Sequence, residues 1–255
     1  MKRRETGKGT YDRLRDRIVF PIRDPRGRPL AFSGRIIGEG EPKYLNSPET
    51  ITFTKSQTLY GLFEARESII SKGFVLLVEG NFDLIACAQY GLPNVVAPLG
   101  TAFTEDHARK LAHFVRKAVV EFDGDQAGQA AAERTVGILL GKGFQVNVVR
   151  LAPEHDPDSF LRAEGAEGFH VALSQSATGL DFMIHRAGER ADLDTPRGKA
   201  EALSSLLEFV VPISNRVERA EWITRLAERL QIEPRLVEGA AADVQAKGRF
   251  RQNRV

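Results

Sequence analysis

Two stretches decide the fold of this chain: Phe74-Val-Leu-Leu-Val-Glu-Gly-Asn-Phe-Asp83 and Ala118-Val-Val-Glu-Phe-Asp-Gly-Asp125. Each begins as a short apolar run rich in valine and leucine, and each ends on carboxylates beside a glycine. Apolar runs of this length, bounded by turn residues, are the signature of strands covered on both faces. Similar runs recur at Asn94–Ala97 and Gln145–Val149, and helical spacing is predicted over Phe82–Tyr90, Glu105–Val115 and Ala127–Leu140. Strands alternating with helices imply a parallel sheet with helices on both sides. Residues 73–158 therefore read as one Rossmann-like α/β domain.

Upstream of this module, Ile18–Ile22 and Leu30–Ile37 are β-rich runs, and the Pro/Gly-containing turn Arg23–Pro29 between them predicts a hairpin. Pro42–Glu49 reads as a polar loop, and Leu59–Ile70 has the apolar spacing of a helix. The expectation is a partial N-terminal β-rich subdomain over 11–72, preceded by a disordered tail over 1–10. Downstream, Leu, Ala, Arg and Glu recur at helical spacing, predicting a helical subdomain over 159–240. Residues 241–255 read as a linker or tail.

The 255 residues, 42% hydrophobic and 27% charged, suffice to bury one good core and a small second one. No apolar run approaches the roughly 20 residues of a spanning helix, and Met1-Lys-Arg-Arg-Glu5 lacks a secretory segment, so no membrane association and a cytoplasmic location are expected. The single cysteine, Cys87, rules out an internal disulfide and a cysteine zinc cluster. The net charge of +2 hides an asymmetry: residues 1–60 carry 13 Lys+Arg against 7 Asp+Glu, the remainder 23 against 27. A basic front beside an acidic body suits a phosphate backbone held near divalent cations.

Ligands of open parallel sheets bind beyond the carboxyl ends of the strands, where the acidic residues fall. Glu79 ends one strand and Asp83 lies on the first turn of the following helix; Asp123 and Asp125 end another, and their spacing of two aims both side chains the same way. Four carboxylates this close repel one another unless a cation intervenes, and an all-oxygen donor set suits Mg2+ or Mn2+. A turn or helix cap is the competing reading of Asp123-Gly-Asp125 taken alone. Asp156-Pro-Asp158 follows the fourth strand and reads equally as a cap with proline at the first helical position or as further metal ligands. In the basic front, Arg35, Lys43, Asn46 and Lys55, with Tyr44 among them, suit phosphate contact and base stacking. The five histidines show no ligand spacing and read as structural or surface residues, and Cys87 reads as core.

Glu79-Gly-Asn-Phe-Asp83, Pro98-Leu-Gly-Thr101, Phe122-Asp-Gly-Asp-Gln-Ala-Gly128 and Asp156-Pro-Asp158 together resemble the TOPRIM domain of bacterial replicative DNA primases of the DnaG type. Arg17–Asp24, Phe32–Arg35, Pro42–Thr50 and Leu59–Gly61 resemble further primase signatures that other TOPRIM proteins lack, and Pro42–Thr50 is the most specific. The resemblance implies synthesis of short RNA primers on single-stranded DNA from ribonucleoside triphosphates by metal-dependent nucleotidyl transfer. It implies Glu79, Asp123 and Asp125 as catalytic metal ligands, with Asp83, Asp156 and Asp158 completing the acidic site and no zinc. Arg35, Lys43, Tyr44, Asn46 and Lys55 would meet template or incoming nucleotide. Asn81-Phe82 departs from the family's more frequent Tyr-Met.

The same resemblance sets expectations of absence: no zinc-binding domain, a missing front part of the polymerase core, and no helicase-binding domain, in a monomer. A metal-dependent TOPRIM nuclease and an inactive nucleic-acid-binding primase fragment are the alternatives. A topoisomerase would need a tyrosine nucleophile in a separate domain, and Tyr11, Tyr44, Tyr60 and Tyr90 lie within or before the module.

Overall fold

The computed structural model describes residues 2–3, 10–152, 155–213 and 215–252. At the front, β1 (Lys2–Arg3) pairs antiparallel with β2 (Thr10–Tyr11), so part of the expected disordered tail is a short ribbon. The rest of that tail, residues 1 and 4–9, lies outside the described residues.

The predicted hairpin is present as β3 (Arg17–Arg23) and β4 (Pro29–Ile36). Asp24 closes its turn by accepting the backbone N–H groups of Arg26 and Arg28, each at 2.9 Å. The expected polar loop contains a third strand, β5 (Tyr44–Asn46), antiparallel to β4. Three polar-flanked residues carry too little alternation to be read as a strand, and the pairing comes from the neighbouring edge. Its register sets Tyr44 opposite Arg35.

Helix α1 (Leu62–Lys72) leads into the sheet, which runs through β6 (Val75–Leu77), α2 (Asn81–Gln89), β7 (Val95–Val96), α3 (Glu105–Leu111), β8 (Lys117–Val120), α4 (Gln126–Gly141) and β9 (Gln145–Val148). The order across the sheet is β7-β6-β8-β9, all parallel. Alternate strand residues feed two cores. Val75, Leu77, Ala118, Val120, Val146 and Val148 pack towards α1, α3 and α4, whereas Leu76, Val78, Val95 and Val119 pack towards α2 and α5 (Pro157–Ser174). This two-sided burial is why β6, β7 and the inner part of β8 are continuously apolar, while β9, nearer the edge, carries Gln145 and Asn147.

The region expected to be helical first contributes an antiparallel edge strand, β10 (Ala177–Thr178), paired with β9. Helices α6 (Gly179–Gly188), α7 (Pro196–Val210), α8 (Arg216–Leu230) and α9 (Pro234–Gln252) follow, and their apolar residues join the α4 side of the sheet in one core. The expected tail over 241–255 is therefore corrected: α9 continues to Gln252, anchored by buried Val237 and Ala241. Residues 253–255 lie outside the described residues.

The first turn of α4 passes so close to the end of β8 that a Cβ on Gly128 would stand 2.3 Å from the Asp123 carbonyl oxygen. Alanine in a helix ordinarily gains up to about 1 kcal/mol over glycine. Gly128→Ala is expected to reverse that sign and destabilise by about 1–3 kcal/mol, the cost of overpacking, as read from urea unfolding midpoints.

Candidate functional site

Strand β6 leads to β7 on one side and, after α3, to β8 on the other, so the strand order reverses between β6 and β8. Glu79 and Asp123 stand at the carboxyl ends of those two strands. Asp83 is positioned by α2, whose start Gly80 gives its N–H to Asp83 Oδ2 at 3.0 Å. Asp125 caps α4, with Oδ1 accepting the Gly128 N–H at 2.7 Å, and Asp156 caps α5 by accepting the Ser159 N–H at 2.7 Å. The cap readings of both motifs are thus realised, and for Asp125 the cap coexists with membership of the cluster.

The charges show which groups face one another. Burial, then the charges of Asp123 and Asp156, raise Asp83 to about 7. Burial and the neighbouring Asp123 carboxylate raise Glu79; burial, Asp156 and Asp125 raise Asp123. Asp156 is pulled upward by burial, but the Ser159 hydrogen bonds hold it below the usual carboxylate range. Asp158 turns elsewhere, in a bidentate pair with Arg162 at 3.0 Å.

Glu121 belongs to this cluster and was not singled out from sequence. It is 0% exposed, with both carboxylate oxygens lacking a hydrogen-bond partner among the described residues. Burial, followed by Asp83, Asp123, Asp156 and Glu79, lifts it well above a normal glutamate. The available signal was a glutamate in an otherwise apolar run, one residue past β8 and two before Asp123.

Among the described residues no three His, Cys, Asp or Glu side chains are preassembled around an ion. The donor chemistry nevertheless fits magnesium, which is typically bound by one or two carboxylates with water and phosphate completing its shell. Asp123 Oδ1 is buried and without a hydrogen-bond partner among the described residues, an acceptor that a cation would satisfy.

Beside the acids lies a cavity of about 920 Å3, lined by Tyr44 and Asn46 from the front sheet, Glu79 to Asn81, and Leu99 to Thr101. Asn46 ties the sheet to that loop, donating Nδ2 to the Leu99 carbonyl at 3.2 Å. Arg35 lies 4.1 Å from the centroid of the Phe82 ring and donates to Tyr44 Oη at 2.9 Å, with no carboxylate partner among the described residues. Phe82, an unusual residue for the motif, is thus a seat for the cation. Lys43 is exposed beside Tyr44. Lys55 is placed apart, in a 3-10 turn against α3, where its carbonyl meets His107 Nε2 at 3.0 Å. His107 and Cys87 are both 0% exposed, as their structural readings anticipated.

Residues 1–66 match the model of the N-terminal domain of the DNA primase catalytic core, and 76–161 match the Toprim-like model. The chain is similar to a crystal structure of a DNA primase domain from Pseudomonas aeruginosa, with TM-score 0.85 and 40% identity over 93% of this chain and 75% of that one. The chain belongs to the bacterial DnaG-type primase family. It is also similar to the structure of a DnaG primase catalytic domain bound to ssDNA, with TM-score 0.81 and 38% identity over 89% of this chain and 73% of that one. Among curated relatives, the DNA primases of Pseudomonas aeruginosa and Escherichia coli K12 are 46% and 38% identical over 88% of this chain. The chain spans 34% and 39% of their lengths.

One expectation about this primase-family chain is overturned. Residues 180–235 match the model of the DnaB-helicase binding domain of primase, so that domain is present. It lies within α6–α8, in the region read only as a helical subdomain. Helical spacing reports burial, and it does not distinguish a binding bundle from a supporting one.

Without divalent cations, Glu121 sets a pH dependence of stability. Its folded-state pKa is raised, so the native state holds the proton more tightly than the unfolded chain, and stability falls as pH rises above the unfolded glutamate value. Glu121→Met, similar in shape and unable to ionise, is expected to be more stable than the parent at pH 8 by about 1–3 kcal/mol. The advantage should shrink towards pH 4.5, as followed by urea unfolding in chelator.

Proposed function

We propose that this chain catalyses template-directed joining of ribonucleotides on single-stranded DNA, the chemistry of primer synthesis. The observation that carries the reading is the convergence of Glu79, Asp83 and Asp123 at the strand-order reversal, beside a cavity walled by Tyr44 and Asn46. The 3′-hydroxyl of one ribonucleotide would attack the α-phosphorus of the next; the bond to the β-phosphate oxygen breaks and pyrophosphate leaves with its electron pair.

Mg2+ or Mn2+, when bound, would supply activation of the attacking oxygen and neutralisation of the leaving one. Glu79, Asp123 and Asp125 would hold it, with Asp83 and Asp156 adding negative potential. Asp125 would do so through its second oxygen, since Oδ1 serves the helix cap. Asp158 is a weaker candidate because Arg162 engages both of its oxygens. Arg35 has guanidinium N–H groups beyond the one given to Tyr44, and their planar fork suits a triphosphate. Tyr44 offers a ring for base stacking, Lys43 a mobile charge for the template phosphates, and Asn46 a fixed floor. Lys55, set against α3, would reach only a longer stretch of template. A replicative helicase is the macromolecular partner that the 180–235 match supports, and chromosomal replication would put the protein in the cytoplasm.

Incorporation of labelled ribonucleotides on single-stranded DNA with Mg2+ or Mn2+ tests this reading. Asp123→Asn is expected to abolish product while remaining folded. Equal product from the variant would remove the proposed role, and loss of intact template in the parent lanes would select nuclease chemistry. Lys43→Ala is expected to weaken single-stranded DNA binding and to reduce the slope of log affinity against log salt by about 1, measured by fluorescence anisotropy across a salt titration.

A further inference from the structure

The loop Asp123-Gly124-Asp125 is tethered from two directions. Gly128 N–H reaches Asp125, and Gln129 Nε2 donates to the Gly124 carbonyl at 2.8 Å, between the two aspartates. The second tether does not end on α4. Gln129 Oε1 accepts from Arg186 Nη1 of α6 at 2.5 Å. Arg186 is buried, its side chain 11% exposed, so its charge needs partners close at hand. Those partners are Gln129 and Glu133 of α4 and Glu189, the residue that caps the end of α6.

The helical geometry explains the arrangement. Gln129 and Glu133 are four apart and share the face of α4 that meets α6. Arg190, four residues on and just past the end of α6, closes the same face with a bidentate bond to Glu133, 2.8 and 2.5 Å. A cation committed to Glu133 and Glu189 is held in place by charge, and its remaining bond orients the Gln129 amide: oxygen to Arg186, nitrogen to Gly124. Reversal of the amide would set nitrogen against the guanidinium and oxygen against the carbonyl, so the orientation is enforced at both ends.

We propose that Gln129 and Arg186 form a strut that positions the Asp123–Asp125 loop from helix α6. The proposal rests on the reading of these aspartates as metal ligands. Neither strut residue touches substrate or metal; both are positioning residues. Helix α6 lies in the 180–235 segment matched to the helicase-binding model, so the strut joins that segment directly to the loop bearing the acids.

Gln129→Met, Arg186→Met and the double variant of the full chain test this. In chelator, deuterium uptake by the peptide spanning residues 121–126 is expected to quicken in each single variant. The Mg2+ dissociation constant, fitted from the logarithmic rise of melting temperature with Mg2+ concentration, should increase about three- to ten-fold, as the loss of one hydrogen bond implies. The double variant should be no worse than the single ones, because both cut the same chain of contacts. Unchanged uptake in 121–126 with a lower melting temperature, or additive effects, would overturn the strut. If Arg186→Met does not fold, Gln129→Met decides alone, since Gln129 is only half-buried. A parent whose melting temperature ignores Mg2+ would overturn the metal reading, while the uptake comparison still decides whether the loop is held.

Discussion

The mutual repulsion of carboxylates gathered at the ends of β6 and β8 is the constraint on which the rest of the structure depends. Glu79, Asp83, Glu121 and Asp123 have their proton affinity raised by burial and by neighbouring carboxylates, and Asp156 adds its charge to Asp83, Glu121 and Asp123. A fold gains nothing from such a cluster for its own stability, because each charge loses water and faces like charges. The surrounding architecture supplies the opposing terms: a sheet covered on both faces, a hydrogen bond from Gly80 to Asp83, caps that employ Asp125 and Asp156, and the contacts of α4 with α6.

The same constraint accounts for the division of labour between the two sheets. The parallel sheet is rigid, apolar and fixed in register, so it can hold acids at set places. The front sheet is open and basic, and it is joined to the acids by few contacts: Arg35 on Phe82, Asn46 on Leu99, and Asn81 to Ser33 at 3.3 Å. A polyanionic substrate between the two would be neutralised by the basic front, and divalent cations would be needed to bridge it to the acids. This complementarity gives meaning to a net charge near zero that is distributed unevenly along the chain.

Much of this was legible in the sequence because it is written in local patterns. Apolar runs gave the parallel strands, Pro and Gly the hairpin turn, and acidic residues after strands the candidate site. Features that depend on distant partners were not. β5 and β10 exist because an adjacent edge accepts them, and α9 is seated because Val237 and Ala241 find a core. Glu121 was hidden by the apolar run that leads out of β8, where one acidic residue beside valines looked like part of the strand. The helicase-binding match in α6–α8 was missed because an amphipathic helix looks the same whether its outer face is bare or recognised.

Low-temperature electron paramagnetic resonance of Mn2+ mixed with the protein at pH 8 addresses the central claim, that these strand ends form a divalent-cation site. The account predicts a bound Mn2+ signal from the parent that Mg2+ displaces and that Asp123→Asn loses. Absence of bound Mn2+ in the parent, or equal binding by the variant, would contradict it.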